Sequence, residues 1–189
     1  MRYKVVLIGG SAGSFQVVTK ILSKLSANFP IPMVLALHRL KHVRTGFVEA
    51  LSIKSVLPVS EPIDKEPLKP GRVYLAPANY HLYIELAGKF ALSTEEPVNH
   101  SRPAIDLTFI TGAYNYKEKA LGIILSGANK DGALGLKKVK DWGGTTIVQD
   151  PAEVQMPTMP IAAIEKTGKV DYILKTEEII KFLNSLQSD

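Results

Sequence analysis

A serine flanked by glycines directly follows the first apolar run of the chain. The run Val5-Val6-Leu7-Ile8 leads into Gly9-Gly10-Ser11-Ala12-Gly13, which matches G-x-S-x-G, the pattern of a nucleophile elbow. Because a serine on a sharp turn from strand to helix has a constrained backbone, small residues must flank it. Its hydroxyl projects from the carboxyl end of the strand, where N–H groups at the start of the next helix can stabilise an oxyanion. The pattern predicts a serine nucleophile at Ser11.

A glycine-rich phosphate loop is the alternative interpretation of the same segment. Such a loop also lies between a first strand and a helix. The dinucleotide pattern G-x-G-x-x-G fails because Ser11 stands where its second glycine would be, and the segment lacks the Gly-Lys-Ser/Thr ending of a P-loop. Short patterns often match by chance, so the motif alone leaves a serine hydrolase and a phosphate- or nucleotide-binding α/β domain both open.

A histidine ends the second apolar run. His38 follows Val34-Leu35-Ala36-Leu37, at the carboxyl end of a predicted strand, and that edge lines the ligand crevice in parallel sheets. His81 begins a predicted hairpin strand and His42 lies in a polar loop, so structural roles explain both, whereas His100 stays open as a competitor. We take His38 as the candidate general base.

An aspartate follows a later apolar run. Asp131 lies in Ser126-Gly127-Ala128-Asn129-Lys130-Asp131-Gly132, directly after residues 122–125. Aspartate before a helix is a favoured N-cap, and this role does not exclude a catalytic one. Because Ser11, His38 and Asp131 all lie at carboxyl ends of predicted strands, one crevice can hold a nucleophile, its base and the orienting acid. The chain order Ser…His…Asp differs from that of the α/β-hydrolases, which disfavours that fold.

The apolar runs predict the fold that positions these residues. They are short, β-branched and not alternating, as in strands buried on both faces of a parallel sheet: residues 5–8, 34–37, 73–76, 122–125 and 145–148. Helical spacing of apolar residues falls between them, at 14–25, 44–51, after Pro103 as a first-turn proline, at 132–142 and at 177–186.

Residues 81–86 and 90–93 flank Ala87-Gly88-Lys89 and predict an antiparallel hairpin. We therefore expect an α/β fold, a doubly wound and mostly parallel sheet with helices on both faces and an antiparallel β-hairpin excursion. We expect residues 1–189 to form a single domain.

The composition excludes several classes of site and partner. The chain has no cysteine, which excludes disulfides, thiolate nucleophiles and cysteine zinc sites. Its net charge of +5 comes from scattered cations, so we expect no nucleic-acid partner and favour an acidic protein surface instead. No apolar run approaches the ~20 residues of a membrane helix, and the N-terminal run lacks a cleavage pattern. We expect a cytoplasmic protein without membrane insertion, cofactor or metal.

Several segments together resemble a known family, the catalytic domain of the CheB chemotaxis methylesterases. That family carries G-A-S-T-G-G, Q-H-M, R-P-S-V-D and T-G-M-G-x-D-G-A in this order, and a Met-Pro pair late in the chain. The matching segments are Gly9–Ser14, Leu37-His38-Arg39, Arg102-Pro103-Ala104-Ile105-Asp106, Ser126–Ala133 and Met159-Pro160. The family's Pro-Gly…Tyr-Ile-Ala-Pro is matched by residues 70–77, and the resemblance spans roughly residues 3–174.

The resemblance implies a serine hydrolase that demethylates glutamate methyl esters on chemoreceptors and also deamidates glutamine. It makes Ser11 the nucleophile, His38 the base and Asp131 the third triad member, with backbone N–H groups of Ala12 and Ala128 forming the oxyanion hole. The implied partner is the methylated, helical cytoplasmic part of a chemoreceptor. We add Arg102 and Asn79 as candidate substrate-binding residues, since both should border the same crevice.

Departures from the family pattern keep alternatives open. Ala12 replaces the family threonine, Ala128 the methionine, and Asn129 a glycine, which we expect to strain that turn. These changes leave a non-catalytic module that binds a receptor or another signalling partner as an alternative. Typical members also carry a receiver domain that we do not expect in this chain, so the activity would be constitutive or controlled by a separate regulatory chain.

Overall fold

Buried apolar strands form the centre of the computed structural model, which describes residues 2–39 and 46–186. The strands are β1 (Val5–Gly10), β2 (Met33–Leu37), β3 (Val59–Ser60), β4 (Val73–Leu75), β5 (His81–Glu85), β6 (Lys89–Ser93), β7 (Ala120–Ile124), β8 (Thr145–Gln149) and β9 (Tyr172–Leu174). Seven of them form one sheet in the order β3-β4-β2-β1-β7-β8-β9, and every neighbouring pair in it is parallel. β5 and β6 form a separate antiparallel hairpin.

Helices cover both faces of the sheet. They are α1 (Ser14–Lys24), α2 (Phe47–Lys54), α3 (Ile105–Tyr116), α4 (Ala133–Asp141), α5 (Thr158–Thr167) and α6 (Thr176–Ser185). One buried cluster joins α1, α2 and α6 to strand residues such as Val6, Ile8 and Leu35. A second joins α3, α4, α5 and the hairpin to Val5, Leu7 and Val34. Since successive strand residues point to opposite faces, the two clusters confirm the predicted doubly wound α/β fold.

The central position of β1 decides where a site can form. β2 lies on one side of β1 and β7 on the other, so the strand order changes direction at β1. In open α/β sheets a crevice forms at such a switch point, outside the carboxyl ends of the strands. The loops after β1, β2 and β7 carry Ser11, His38 and Asp131, and they meet at this edge.

Some local predictions were wrong or incomplete. Pro103 is not in the first turn of a helix: α3 begins at Ile105, because Ala104 is extended and donates its N–H to His81 Nδ1 at 3.2 Å. The sequence patterns also missed α5 and the short strands β3 and β9. The predicted helix at 44–51 corresponds to α2 from Phe47 onward, while positions 44 and 45 lie outside the described residues.

Candidate active site

The segment after β1 forms a tight turn that small residues make possible. Gly13 has φ of 82°, a left-handed conformation that glycine adopts without a Cβ penalty. A Cβ on Gly10 would lie 2.5 Å from Ser14 Cβ. The turn is held by Ser11 N, which donates to Ser126 O at 2.9 Å, and by Ser14 N and Oγ, which donate to Ser11 O at 3.0 and 2.6 Å. These constraints fix Ser11 at the carboxyl end of the central strand.

The register of the sheet brings His38 beside this turn. Gly10 pairs with Leu37 across β1 and β2, and His38 N donates to Gly10 O at 3.0 Å. Ser11 and His38 are the next residues after this pair, so both lie just beyond the carboxyl ends of neighbouring strands. No hydrogen bond joins the Ser11 hydroxyl to the His38 ring, both of which belong to the described part of the chain.

His38 and Asp131 are in direct contact. His38 Nε2 lies 2.7 Å from Asp131 Oδ2, and the Asp131 side chain is fully buried while that of His38 is 11% exposed. Asp131 also accepts hydrogen bonds from the backbone N–H groups of Ile105 at 2.6 Å, Asp106 at 3.2 Å and Gly132 at 3.0 Å. The carboxylate is therefore saturated with donors.

These donors keep Asp131 ionised despite its burial. Burial alone would raise the pKa of Asp131, but hydrogen bonds from His38, Asn99 and the Ile105 N–H outweigh it and lower the pKa below 3.8. Ile105 and Asp106 are the first residues of α3, so the carboxylate also faces the positive end of that helix. The expected N-cap role is thus corrected: Gly132 precedes α4, and Asp131 caps the start of α3 instead.

The surroundings of His38 fix its tautomer. Asp131 N donates to Asn129 Oδ1 at 3.0 Å, which orients the Asn129 amide so that its NH₂ faces His38 Nδ1 at 3.1 Å. Ser101 Oγ lies 3.5 Å from the same nitrogen. Since an amide NH₂ can only donate, Nδ1 carries the lone pair and Nε2–H donates to Asp131. Nδ1 is therefore the nitrogen that can accept a proton.

Two loops present free backbone donors beside Ser11. Ala12 and Ala128 are exposed, and within residues 2–39 and 46–186 neither of their N–H groups donates a hydrogen bond. The loops are tied together because Ser126 Oγ donates to Ala12 O at 2.8 Å. Ser126 N donates in turn to the buried Gln149 Oε1 at 3.0 Å. This arrangement holds both N–H groups at the same edge of the sheet.

The sequence pattern predicted that Asn129 would strain its turn, and this prediction was wrong. Asn129 is not among the described residues with positive φ, so the backbone does not require glycine there. Nearby, Gly127 N donates to Met156 O at 3.1 Å and Met159 N donates to Gly127 O at 3.0 Å. Met159, of the Met-Pro pair, is buried, and its side chain would contact a Cβ on Gly127 within 3.0 Å. It packs beneath the loop that carries Ala128.

A cleft of about 250 Å³ opens beside His38. Asn79 and Arg102 both line it, as do His100 and Ser101. Arg102 Nη1 donates to the carbonyl oxygens of Thr94 and Glu95 at 2.8 and 3.0 Å, so part of its guanidinium holds the adjacent loop. The structure thus places both sequence-predicted substrate residues at one cleft with the candidate base.

The other histidines have separate positions. His81 is fully buried, and its ring accepts from Ala104 N and donates to Glu96 O at 2.9 Å. His100 is exposed and lines the cleft. His42 lies outside the described residues. Of the described histidines, His38 has the carboxylate contact of a triad base.

Sequence reasoning missed several polar residues of the site. Asn99 Nδ2 donates to both Asp106 Oδ2 and Asp131 Oδ1 at 2.9 Å, bridging two buried carboxylates. Burial, and next the charge of Asp131, raise the pKa of Asp106, although bonds from Gly135 N and Asn99 oppose this. Asn99 and Ser101 belong to the loop before the Arg-Pro motif, where no spacing rule marks a single asparagine or serine. No role was predicted for Arg39 either, and its position directly after His38 was the only signal in the sequence.

The described residues offer neither a metal-binding cluster nor a membrane-spanning helix. Among the described residues, no group of three or more His, Cys, Asp or Glu side chains could hold a metal ion. Likewise, no helix within 2–39 or 46–186 is long and apolar enough to cross a membrane.

Comparison with known proteins places the chain in a family. The family model described as CheB methylesterase matches residues 6–183. The chain belongs to this family. A Leptospira interrogans relative, provisionally named for protein-glutamate methylesterase and protein-glutamine glutaminase activities, is 41% identical across 100% of this chain and 97% of its own length. The family resemblance inferred from the motifs is thereby confirmed.

Other members of the family differ in length. A protein-glutamate methylesterase/protein-glutamine glutaminase of Thermotoga maritima is 38% identical over 93% of this chain, which spans 52% of that relative. The crystal structure of the Thermotoga maritima CheB methylesterase catalytic domain matches with a TM-score of 0.91 and 37% identity, covering 98% of this chain and 100% of that one. The chain therefore has the fold of the family's catalytic domain.

Proposed function

We propose that this protein is a protein-glutamate methylesterase that uses Ser11, His38 and Asp131, and that it also deamidates glutamine. The observation that carries the proposal is the 2.7 Å contact between His38 and the buried Asp131, beside a serine on a nucleophile elbow. A nucleophile, a base and an orienting acid at one sheet edge are the parts that acyl transfer requires. The family relatives named for both activities support the same reaction.

The first half of the reaction forms an acyl-enzyme. Ser11 Oγ attacks the carbonyl carbon of the glutamate methyl ester while its proton passes to Nδ1 of His38. The carbonyl oxygen becomes an oxyanion that accepts hydrogen bonds from the N–H groups of Ala12 and Ala128. Each donor stabilises the transition state by about 3 kcal/mol. The intermediate collapses as the C–O bond to methoxide breaks, and methanol leaves with the proton from His38.

Hydrolysis of the acyl-enzyme completes the cycle. Water attacks the acyl carbon while His38 Nδ1 takes one of its protons. The bond from the carbon to Ser11 Oγ breaks, the proton on His38 returns to Ser11, and the glutamate leaves as a carboxylic acid that loses its remaining proton to water. With glutamine as substrate, the same steps release ammonia in place of methanol and yield the same carboxylate.

Asp131 acts through His38. Its contact with Nε2–H orients the ring and stabilises the imidazolium that forms when Nδ1 takes the proton. Since the pKa of Asp131 is lowered by hydrogen bonds from His38, Asn99 and Ile105, the carboxylate stays ionised and does not itself take the proton. Asn99 and the start of α3 therefore support the acid in its charged form.

The proposed substrate is the methylated helical part of a chemoreceptor in the cytoplasm. Glutamate-rich helices suit a chain with a net charge of +5, because complementary charge speeds encounter and favours correct orientation.

Labelling with a serine-directed fluorophosphonate tests the nucleophile. The wild type should be labelled at Ser11, as mapped by mass spectrometry, and Ser11→Ala should not. Ser23→Ala, an exposed serine of α1, is the matched control and should label like the wild type. Labelling of a different serine, or none in a folded wild type, would contradict the assignment.

One observation favours a second candidate, a non-catalytic module that binds receptors or signalling partners. The Asn129 amide occupies His38 Nδ1 at 3.1 Å, the nitrogen that the esterase mechanism needs. This alternative predicts binding of methylated receptor without labelling of Ser11. A phosphate- or nucleotide-binding domain would instead show thermal stabilisation by nucleotides, again without labelling.

A further inference from the structure

Arg39 is a buried cation at the cleft beside His38. Its side chain is 2% exposed, and it lines the cleft next to the candidate base. Nη2 donates to Glu61 Oε1 at 2.9 Å and to the carbonyl oxygen of Ala76. Nε and Nη1 are buried and have no hydrogen-bond partner in the described part of the chain. Two of its nitrogens therefore find no acceptor among residues 2–39 and 46–186.

This state is energetically costly for an arginine. The guanidinium stays charged at all relevant pH values, and a buried charged donor without a partner loses its full hydration. Glu61 is 35% exposed, so solvent screens its charge, and the Phe47 ring, 5.3 Å from Arg39 Cζ, offsets only part of the loss. A carboxylate in the cleft would offset part of this cost through its charge, because Arg39 lines the cleft.

The other described residues that line the cleft carry no negative charge. Arg102, His100 and Asn79 line it with Arg39 and His38, and none of its described lining residues is acidic. Asp131 is shielded behind the His38 ring, which it contacts through Nε2. A carboxylate entering the cleft would meet cations and neutral donors, whereas a lysine side chain would be repelled.

We propose that this cleft is a carboxylate subsite, in which Arg39 selects substrates with an acidic residue next to the esterified glutamate. The inference rests on the proposed function, because it takes the ester to be held at Ser11, one strand away from His38. A polypeptide bound there must carry its neighbouring side chains past the His38 ring, and the cleft receives one of them.

Two peptides test the preference directly. Both carry one glutamate methyl ester in a helical sequence, flanked on each side by glutamate in the first peptide and by glutamine in the second. Wild-type kcat/KM should be about tenfold higher for the glutamate peptide, through a lower KM, since the attraction between a carboxylate and a cation near a protein surface is at least on this scale. Equal kcat/KM for the two peptides would overturn the proposal.

Variants of Arg39 distinguish a specific role of this side chain from an effect of the protein's net positive charge. Arg39→Met should remove the difference between the peptides, while Arg39→Lys, which keeps the charge, should restore part of it. Arg72→Met is the matched control: it removes one cation next to the amino end of β4, away from the cleft, and should retain the full preference. If Arg39→Met kept the preference, or Arg72→Met lost it, Arg39 would not be the determinant.

A binding measurement distinguishes failure of the subsite from failure of the esterase. Calorimetry with glutarate should detect binding to the wild type and to Glu61→Gln, which keeps the guanidinium, but not to Arg39→Met with unchanged melting behaviour. Glutarate binding without ester turnover or Ser11 labelling would refute the proposed esterase activity and support the carboxylate site alone. Ester turnover without peptide preference or glutarate binding would refute the carboxylate subsite and support the esterase activity alone.

Discussion

The side-chain amide of Asn129 donates to Nδ1 of His38 at 3.1 Å, while Nε2 of the same ring lies 2.7 Å from Asp131. The ring is therefore held from both sides. In the proposed mechanism Nδ1 must accept the proton of Ser11, so the Asn129 amide competes with the nucleophile for the same lone pair. This competition makes Asn129 a position where a substitution should raise reactivity.

Asn129→Gly should label with the fluorophosphonate about three- to tenfold faster than the wild type. The reason is that a net hydrogen bond of about 1 kcal/mol to the resting base is removed. The second-order rate constant of labelling measures this, with Lys130→Gly, an exposed neighbour, as the control for backbone flexibility. Slower labelling of Asn129→Gly would mean that the amide positions the base and does not restrain it.

The ring tautomer can be observed independently. At neutral pH, ¹⁵N chemical shifts of His38 in the wild type should show an unprotonated Nδ1 and a protonated Nε2, because Asn129 donates to the first and Asp131 accepts from the second. A resting ring with its proton on Nδ1 would contradict the assignment of the base.

Asp131→Asn should lower kcat by on the order of 10³–10⁴-fold, the scale expected when a triad loses its orienting acid. The amide offers one oxygen where the carboxylate offers two, and its NH₂ would face a donor: His38 Nε2–H or a backbone N–H at the start of α3. Asp141→Asn, at an exposed ion pair with Lys137, is the control and should change kcat little. A loss of less than tenfold in Asp131→Asn would remove it from the triad.

The stability contributed by Asp131 should depend on pH in a defined direction. Its pKa is lowered below 3.8 in the folded protein, so the unfolded state binds its proton first as the pH falls. The contribution is fully present above the unfolded pKa near 3.8 and is lost as the pH falls through the folded value. Urea unfolding across this acid range should show the wild type losing stability relative to Asp131→Asn as the pH falls. A widening difference toward low pH would contradict the lowered pKa.

Met159→Ala should destabilise the protein by about 2–5 kcal/mol, the range for large-to-small changes in a core. Met159 is fully buried and packs beneath Gly127, so the cavity would also loosen the loop that carries Ala128 and lower kcat. Ile161→Ala, at a 41% exposed position of the same helix, should change the free energy of unfolding by less than about 0.5 kcal/mol. Similar losses in both variants would mean that α5 responds as a whole and that Met159 has no specific role.

The fold was predictable because its strands are buried on both faces. Runs such as Val5–Ile8 stand out from the polar segments around them, and their parallel order follows from the helical patterns between them. β9 was missed because its apolar run, Tyr172-Ile173-Leu174, has three residues only and lies at the sheet edge, where Tyr172 and Ile173 are exposed. Pro103 was misplaced because the contact of Ala104 with His81 joins residues far apart in sequence.

The site was predictable only as far as strand ends reveal it. Ser11, His38 and Asp131 each follow an apolar run, and parallel strands bring such positions to one edge. Asn99 and Arg39 carry no such signal: Asn99 acts by bridging two carboxylates, and Arg39 is distinguished by two buried nitrogens that have no hydrogen-bond partner among the described residues. Both properties arise from tertiary packing. The cap role of Asp131 was assigned to the wrong helix for the same reason, since α3 reaches it from a distant segment.

Release of methanol from a methylated chemoreceptor tests the central claim most directly. With wild-type protein and Ser11→Ala at equal concentration and with matched thermal unfolding, methanol should appear with the wild type and fall to the spontaneous rate with Ser11→Ala. Equal rates for the two proteins would contradict a serine mechanism at this site, whatever the geometry around His38.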